Sequence, residues 1–456
     1  MFVGRKEEIK NLNNNIHNSS AVLIYGLRRV GKTSLIKEAM KESKKKYVYY
    51  ECVKGSEELN VKYFIDLLVE QLNLPNVLFS DFLLLFKYLN NTYKDYVFVI
   101  DEYSYLKEYY LSSKKQGSIQ EAMRLDSSFK TIIDEYLNNN SLILCGSSIS
   151  IMKDLIEYNS PLYDRFSYVL HLKEFNYREI KDFFPNSNNK KLIEIYSIFG
   201  GSPNVLIKID ENKTIESNIE DLLKHDSGIR NHINMNIFNE FGKDFDLNNV
   251  LDAIKNGAKN YGDISKKSHI ETTGLLDKKL KKLLDLDIIE KVYPINMEND
   301  NKKCLYEIKD NLLKFYYSYI NGKENIISLL NEKRYYQEYI MPSIKEFISR
   351  RFERITREYF RIKIKEGEYD NVIGIGSYFS SNSEYDCVLK KKDYKYAIYE
   401  AKYYEKPLTL SIQLKEIEDI KNIKGLKIDE IGFISSNGYE EKLDYIKYLE
   451  MDDLFA

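Results

Sequence analysis

Up to about residue 175, apolar residues fall in short unbroken runs. The runs are "AVLIY" (21–25), "YVYYE" (47–51), "YVFVI" (96–100), "SLILC" (141–145) and "YVLHL" (168–172). Between them, stretches such as 33–43, 59–72 and 126–138 repeat with a helical period. A strand that is apolar at every position must be covered on both faces. Five such runs alternating with amphipathic helices predict a parallel sheet of buried strands between two helical layers. The polar stretch 107–120 reads as an exposed insertion.

The pattern then changes. From about 176 to 240 it is helical, with a break at "GGSPN" (200–204). Between 245 and 308, "LNNVLDAIKNG", "YGDISKKSHI" and "ETTGLLDKKLKKLLDLDIIEKV" precede "KKCLYEI". Three helices followed by two strands with a polar tip form a winged-helix pattern. After 340 a basic helix (344–363) leads to strands near 384–390 and 394–403, then to "EIGFISS" (430–436).

A chain of 456 residues has room for about three domains. Its 68 basic and 70 acidic residues leave a net charge of −2, so any nucleic-acid surface must be local. Abundant Lys, Asn, Ile and Tyr without Trp reads as codon bias. Cys52, Cys145, Cys304 and Cys387 form no CxxC pair, which excludes zinc and dithiol motifs. They read as buried reduced thiols in a cytoplasmic protein. The opening "MFVGRKEEIK" has no signal-peptide core, and "FLLLF" (82–86) is far short of the ~20 residues of a membrane helix.

The first run leads into "GLRRVGKTSL". Gly-x4-Gly-Lys-Thr between a strand and a helix is the context of a phosphate-binding loop. Gly26, Leu27, Arg28, Arg29, Val30, Gly31, Lys32, Thr33 and Ser34 line it. Its N–H groups and the helix N-terminus face the phosphates. Lys32 is expected at the β/γ-phosphates of ATP and Thr33 on Mg²⁺. "YVFVIDE" supplies Asp101 as the second Mg²⁺ partner and Glu102 as the group that polarises water. "YVYYE" lies between the two motifs, which favours the group with a strand inserted between the Walker strands. Ser147 and Ser148 after the next strand are either γ-phosphate sensors or helix caps. Arg165 is either a transition-state arginine or a surface ion pair.

"FVGRKEEI", "YGLRRVGKTSL", "FVIDE", "LILCGSS", "SPLYDR" and "GGSPNVL" occur in order over residues 1 to about 210. Together they resemble the archaeal-type P-loop ATPase family, related to the signal-transduction ATPases with numerous domains. The resemblance implies that the paired arginines are usual and that Phe2, Val3 and Gly4 lie near the adenine. Asp164 departs from the family, which has Gly there, and this bears on the geometry of Arg165. The winged helix also fits the family. Its third helix carries Lys278, Lys279, Lys281 and Lys282, placed either to touch DNA phosphates or to solvate a packed helix.

A second cluster lies in "EYDCVLKKKDYKYAIYEAK", read as a hairpin with Glu384, Asp386, Glu400 and Lys402. A three-residue turn at 392–394 sets Asp386 opposite Glu400, and a two-residue turn does not. Two carboxylates on neighbouring strands suit Mg²⁺ or Mn²⁺, with lysine beside them. Asp386, thirteen residues, then Glu400-Ala-Lys402 resembles the PD-(D/E)XK nuclease core, in which an upstream helix supplies another Glu, here Glu353. Met341–Lys365 holds eight basic and three acidic residues.

The expected fold class is α/β: a P-loop NTPase with a parallel sheet and helical lid, then a winged-helix domain and an α/β nuclease-like domain. The expected boundaries are 1–175 (ATPase core), 176–240 (lid), 241–310 (winged helix), 311–340 (linker helix) and 341–456 (nuclease-like). The leading expectation is an ATP-hydrolysing, Mg²⁺-dependent, DNA-directed protein with a second divalent metal at the C-terminal site. Another copy of the chain is a candidate partner, and a membrane is not. The alternatives are a nucleotide-dependent switch or scaffold that binds without cutting, and a protein-remodelling ATPase.

Overall fold

A computed structural model describes residues 2–16, 19–75, 77–113, 117–241, 245–272, 274–295, 304–379 and 384–456; the side chains of 235–241, 245 and 386 are not described. The chain divides into two compact units, Met1–Glu174 and Phe175–Ala456.

The first unit holds five strands: β1 (Ala21–Tyr25), β2 (Lys46–Glu51), β3 (Tyr96–Asp101), β4 (Ser141–Gly146) and β5 (Tyr168–His171). All are parallel, in the order β2-β3-β4-β1-β5. Alternating residues of β1 enter two different cores. Leu23 and Tyr25 pack with Phe64, Phe86 and Phe129 on one face. Val22 and Ile24 pack with Leu12, Leu35 and Ile36 on the other. That double coverage is why every residue of β1 is apolar and buried.

The expectation of five buried strands needs correction at the edges. β2 and β5 flank the sheet and are partly exposed, because an edge strand has a neighbour on one side only. The strand that separates β1 from β3 in space is β4, whereas β2, which separates them in sequence, forms the edge beyond β3. The stretch 107–120 is mostly exposed, and its described residues include the end of helix Tyr103–Leu111 and the start of helix Ser118–Glu135. Lys107 is buried against Asp126 at 2.7 Å, so a polar sequence there conceals an internal ion pair. The run "FLLLF" opens helix Phe82–Thr92, capped by Asp81.

The second unit starts with short helices. Asn189–Phe199 packs on Asn311–Tyr319 and on the long helix Met341–Lys365. The side chain of Asn311 donates to the Tyr196 carbonyl (2.7 Å) and accepts from Arg351 Nε (2.7 Å). Arg351 is buried and meets the carbonyls of Ile308 and Lys309 rather than a carboxylate. Residues 311–340 are therefore no single linker helix. They form Asn311–Tyr319, Glu324–Leu330, Glu332–Tyr335 and a π-turn Tyr336–Ile340, and Phe315, Tyr317 and Tyr335 are fully buried. Helices Phe245–Lys255, Tyr261–Ser268 and Leu275–Asp285 precede an antiparallel pair, β6 (Ile289–Val292) and β7 (Leu305–Ile308).

A mixed sheet follows, with β8 (Val372–Phe379), β9 (Glu384–Lys391), β10 (Tyr396–Lys402), β11 (Ile428–Ser435) and β12 (Lys447–Glu450) in the order β12-β11-β10-β9-β8. β8, β9 and β10 run antiparallel, and β11 and β12 run parallel to β10. Helix Met341–Lys365 covers one face, where Phe360 meets Tyr399 and Phe352 meets Tyr403. Helix Leu410–Lys421 covers the other, where Ile417 and Ile420 join Ile398 and Phe433. β8, β12 and the second helix had no counterpart in the sequence reading. "IGIGSYF" shows no period-two alternation, since its glycines mask the pleat.

Candidate functional site

The C-terminal ends of β1, β3 and β4 converge on the glycine loop. Gly26 leaves β1 so close to the chain that a Cβ would lie 2.2 Å from the Leu172 carbonyl oxygen. Gly31 turns the loop into helix Lys32–Ser43 with φ 97°, a left-handed conformation that suits glycine. Arg29 is also left-handed (φ 67°) and exposed. Lys32 is buried and donates to the carbonyls of Gly26 (2.8 Å) and Leu27 (2.9 Å), so its ammonium is held inside the loop.

Thr33 Oγ1 donates to Asp101 Oδ2 at 2.9 Å. Tyr49, on β2, donates to the same carboxylate oxygen. Burial and then the hydrogen bond to Asp101 push the Tyr49 phenol well above its ordinary range, so it stays a donor. Thr33 and Asp101 are the oxygens that fit a magnesium ion, and they lie beside the loop's phosphate cradle. Tyr49 was not expected. The only signal it gave was its place on the strand next to β3.

Glu102 follows Asp101 with a left-handed backbone (φ 50°). One of its carboxylate oxygens accepts from the Ser147 hydroxyl (2.7 Å) and the Ser147 backbone N–H (3.1 Å). Ser147 also accepts from Arg28 Nε at 3.4 Å, and Arg28 donates to the Tyr105 hydroxyl at 3.2 Å. Arg28 thus ties the loop to β4. Ser148 stands at the N-cap of a short helix, Ile149–Asp154, without a side-chain cap. Nearby Glu51 is raised, by burial and then by the charges of Asp101 and Glu102. Phe2 packs on the core that holds Leu35 and Ile36.

Arg165 is not brought to this site within the chain. Two residues later, Ser167 N donates to the carbonyl of Ala21, the first residue of β1, at the opposite edge of the sheet. Arg165 itself pairs with Asp134 at 2.9 Å. Asp164 has φ 57°, a left-handed conformation that a glycine adopts freely.

In the second unit the hairpin turn has three residues, 392–394, with Lys391 N donating to Lys395 O. Tyr399 faces Cys387 across the ladder. The Asp386 side chain lies outside the described residues. β9 gains a residue against β8: Gly376 faces Val388 and Tyr378 faces Tyr385, so 386 and 387 together oppose Ser377. This bulge breaks the alternation between Tyr385 and Val388, which enter the same core. Glu384 is exposed, with Lys259 at 3.3 Å.

Lys402 Nζ lies 2.9 Å from Glu400 and 2.8 Å from Glu416 of helix Leu410–Lys421. Burial pulls its pKa down, but the two carboxylates outweigh burial and hold it above the ordinary lysine value. Glu416 was missed, because nothing local marks one acid in an ordinary amphipathic helix. Glu353 belongs to the helix on the other face of β10, so the structure does not add it to the Glu400–Lys402 face. Among the described residues no group of three or more His, Cys, Asp or Glu is arranged to hold a metal. On helix Leu275–Asp285, Lys278 and Lys281 are exposed, while Lys279 approaches Asp246 at 3.4 Å.

Residues 2–209 match the model of an ATPase domain found predominantly in Archaea. Residues 316–420 match archaeal and bacterial proteins of unknown function. The chain is 29% identical over 407 residues to an uncharacterized protein of Methanocaldococcus jannaschii, covering 88% of this chain and 86% of that one. A Walker-type ATPase of Pyrococcus abyssi superposes with a TM-score of 0.52 at 19% identity, covering 69% of this chain and 96% of that one. The first unit thus has a P-loop fold, and residues 2–209 are similar to archaeal ATPase domains. Among the described residues no helix is long and apolar enough to cross a membrane.

Proposed function

We propose that the chain is a Mg²⁺-dependent ATPase that acts on DNA, with a nuclease-like C-terminal domain. The observation that carries the ATPase reading is the convergence of Lys32, Thr33, Asp101 and Glu102 at one sheet edge. The loop amides and Lys32 bind the phosphates, Thr33 and Asp101 hold the magnesium, and Glu102 orients water. A bound magnesium neutralises phosphate charge at this edge. Arg165, at the opposite edge, serves a neighbouring copy in an oligomer.

The DNA reading rests on two features of the second unit. Helices Phe245–Lys255, Tyr261–Ser268 and Leu275–Asp285 with β6 and β7 follow winged-helix order, with Lys278 and Lys281 exposed on the third helix. Helix, three antiparallel strands, helix and a parallel strand follow the order of a PD-(D/E)XK core, with Glu400 and Lys402 side by side on its third strand. A second divalent ion at Asp386 and Glu400 belongs to this proposal. The test is cleavage of plasmid and linear DNA with Mg²⁺ or Mn²⁺, with and without ATP, comparing wild type with Lys402→Ala. Cleavage lost in the variant is the expected result.

One observation favours a second reading, a nucleotide-dependent switch that binds without cutting. Lys402 is shared between Glu400 and Glu416, an arrangement that also serves as a structural ion triad. Salt-dependent DNA binding with intact ATP turnover and no cleavage under any condition selects it.

A further inference from the structure

Asp101 ends β3 with a buried carboxylate. Its Oδ1 accepts from the backbone N–H of Glu102 at 2.8 Å. Its Oδ2 accepts from Thr33 Oγ1 at 2.9 Å and from the Tyr49 hydroxyl. The buried Cys145 thiol of β4 is a further partner. The Tyr49 oxygen also stands 3.3 Å from Thr33 Oγ1, so Oδ2 and the two hydroxyl oxygens form one triangle. Thr33, Glu102 and Cys145 come from the loop helix and the central strands on which the site is built. Tyr49 comes from the edge strand β2 and has no part in the chemistry assigned so far.

Register explains its reach. Tyr49 pairs with Val99 in the parallel ladder, and Val99 and Asp101 share a face of β3. That face is covered by helix Lys32–Ser43, and Tyr49 packs at the margin of its core, against Val99, Leu35 and Ile36. An aliphatic residue would fill this margin. A side chain with an apolar body and a polar tip fills it and also reaches the carboxylate. The exposed Lys37 ammonium lies 5.0 Å over the Tyr49 ring. Lys37 is one turn beyond Thr33, so the helix that supplies Thr33 also holds the ring.

The geometry points to Tyr49 as a positioning residue for the divalent cation: its hydroxyl fixes the Asp101 carboxylate beside Thr33, and this selects Mg²⁺ over Ca²⁺. The inference rests on the proposed Mg²⁺ site at Thr33 and Asp101. Its physical reason lies in the two ions. Mg²⁺ demands a near-ideal octahedron at roughly 2.1 Å and keeps several of its waters, so an acceptor of those waters must stand in one place. Ca²⁺ takes about 6–8 oxygens in a flexible geometry and tolerates a carboxylate that turns. Without the Tyr49 hydroxyl, Asp101 keeps its charge but loses the anchor that comes from across the ladder. The stricter ion loses more.

The test uses the full chain and a fluorescent ADP analogue, followed by anisotropy in EDTA and then in rising Mg²⁺ or Ca²⁺. The metal concentration at the midpoint of nucleotide tightening is read for wild type and Tyr49→Phe, with Thr33→Ala and Asp101→Asn as references. Tyr49→Phe keeps the ring and loses only the hydroxyl. Its nucleotide affinity in EDTA should equal that of wild type. Its Mg²⁺ midpoint should rise about fivefold or more, while its Ca²⁺ midpoint moves less than about twofold. An unchanged Mg²⁺ midpoint, an equal rise for both ions, or weaker binding already in EDTA overturns the proposal. A lowered Mg²⁺ midpoint overturns it too, and makes the hydroxyl a competitor of the metal. If Thr33→Ala and Asp101→Asn raise the Mg²⁺ midpoint and Tyr49→Phe does not, the metal site stands and Tyr49 leaves it. If none of the three moves it, the metal reading itself fails and this inference falls with it.

Discussion

Ser147 gives both its hydroxyl and its backbone N–H to one carboxylate oxygen of Glu102, at 2.7 and 3.1 Å. The residue at the end of β4 thereby fixes the acid at the end of β3. Arg28 reaches the same serine at 3.4 Å, so the glycine loop, the acid and β4 form one polar chain.

Removing the serine hydroxyl should therefore act through Glu102. Ser147→Ala keeps the N–H contact and loses the shorter one. kcat for ATP should fall about tenfold with little change in KM, because orientation is lost and binding is not. A kcat equal to wild type in steady-state turnover removes Ser147 from the positioning role.

Lys32 and Glu102 make opposite demands on the same assay. Lys32→Ala should lower turnover about a hundredfold or more and weaken ATP binding, with an unchanged circular dichroism spectrum. Glu102→Gln should bind ATP normally and turn it over at least about a hundredfold more slowly. Normal turnover in the first variant sinks the phosphate-loop assignment. Normal turnover in the second leaves activation of water to another group.

Gly26 is limited by space rather than by φ. A Cβ there would sit 2.2 Å from the Leu172 carbonyl oxygen, and backbone cannot swing aside as a side chain can. Gly26→Ala should shift the loop, lower ATP affinity about tenfold or more and lower the unfolding midpoint. Wild-type affinity in calorimetry would show that the loop adapts.

Glu290 gives the second unit a pH dependence. Burial alone would raise it, but Arg354 at 2.7 Å, with Arg357 and Arg361, holds it at about 2. The unfolded value is near 4.5, so the folded pKa is depressed. Its stabilisation is present above about pH 4.5 and is lost as pH falls toward about 2, on the order of 3 kcal/mol in all. Glu290→Gln should lose stability at neutral pH, since Arg354 stays buried without its partner charge. It should also flatten the acid limb in denaturation curves taken between pH 5 and pH 2. An acid limb identical to wild type assigns the loss to other carboxylates.

Local chemistry made part of this protein legible in advance. Gly26 to Ser34 could be placed because a strand, two glycines and Lys-Thr at fixed spacing have one efficient use. Asp101 and Glu102 could be placed because acids that end an apolar strand are costly anywhere else. The hairpin was legible too, but its turn length was open between two and three residues until the structure showed 392–394. Tyr49, Ser147 as the partner of Glu102, and Glu416 were not legible. Each acts through a neighbour more than a dozen residues away in sequence, and none breaks the pattern of its own element.

Periodicity and motif spacing alone determined the parallel sheet, the phosphate loop and the hairpin, because each depends on residues close in sequence. Only the tertiary structure decided which faces those residues share. It set Glu353 on the far side of β10 from Glu400, because the helix that carries it packs on the Tyr399 face. It sent Arg165 to the opposite edge of the sheet, because β5 begins where β1 begins. It also brought Tyr49 of the edge strand β2 to Asp101, 52 residues later in the chain. Side-chain alternation is a local rule, whereas which helix covers which face is settled by how the whole core packs.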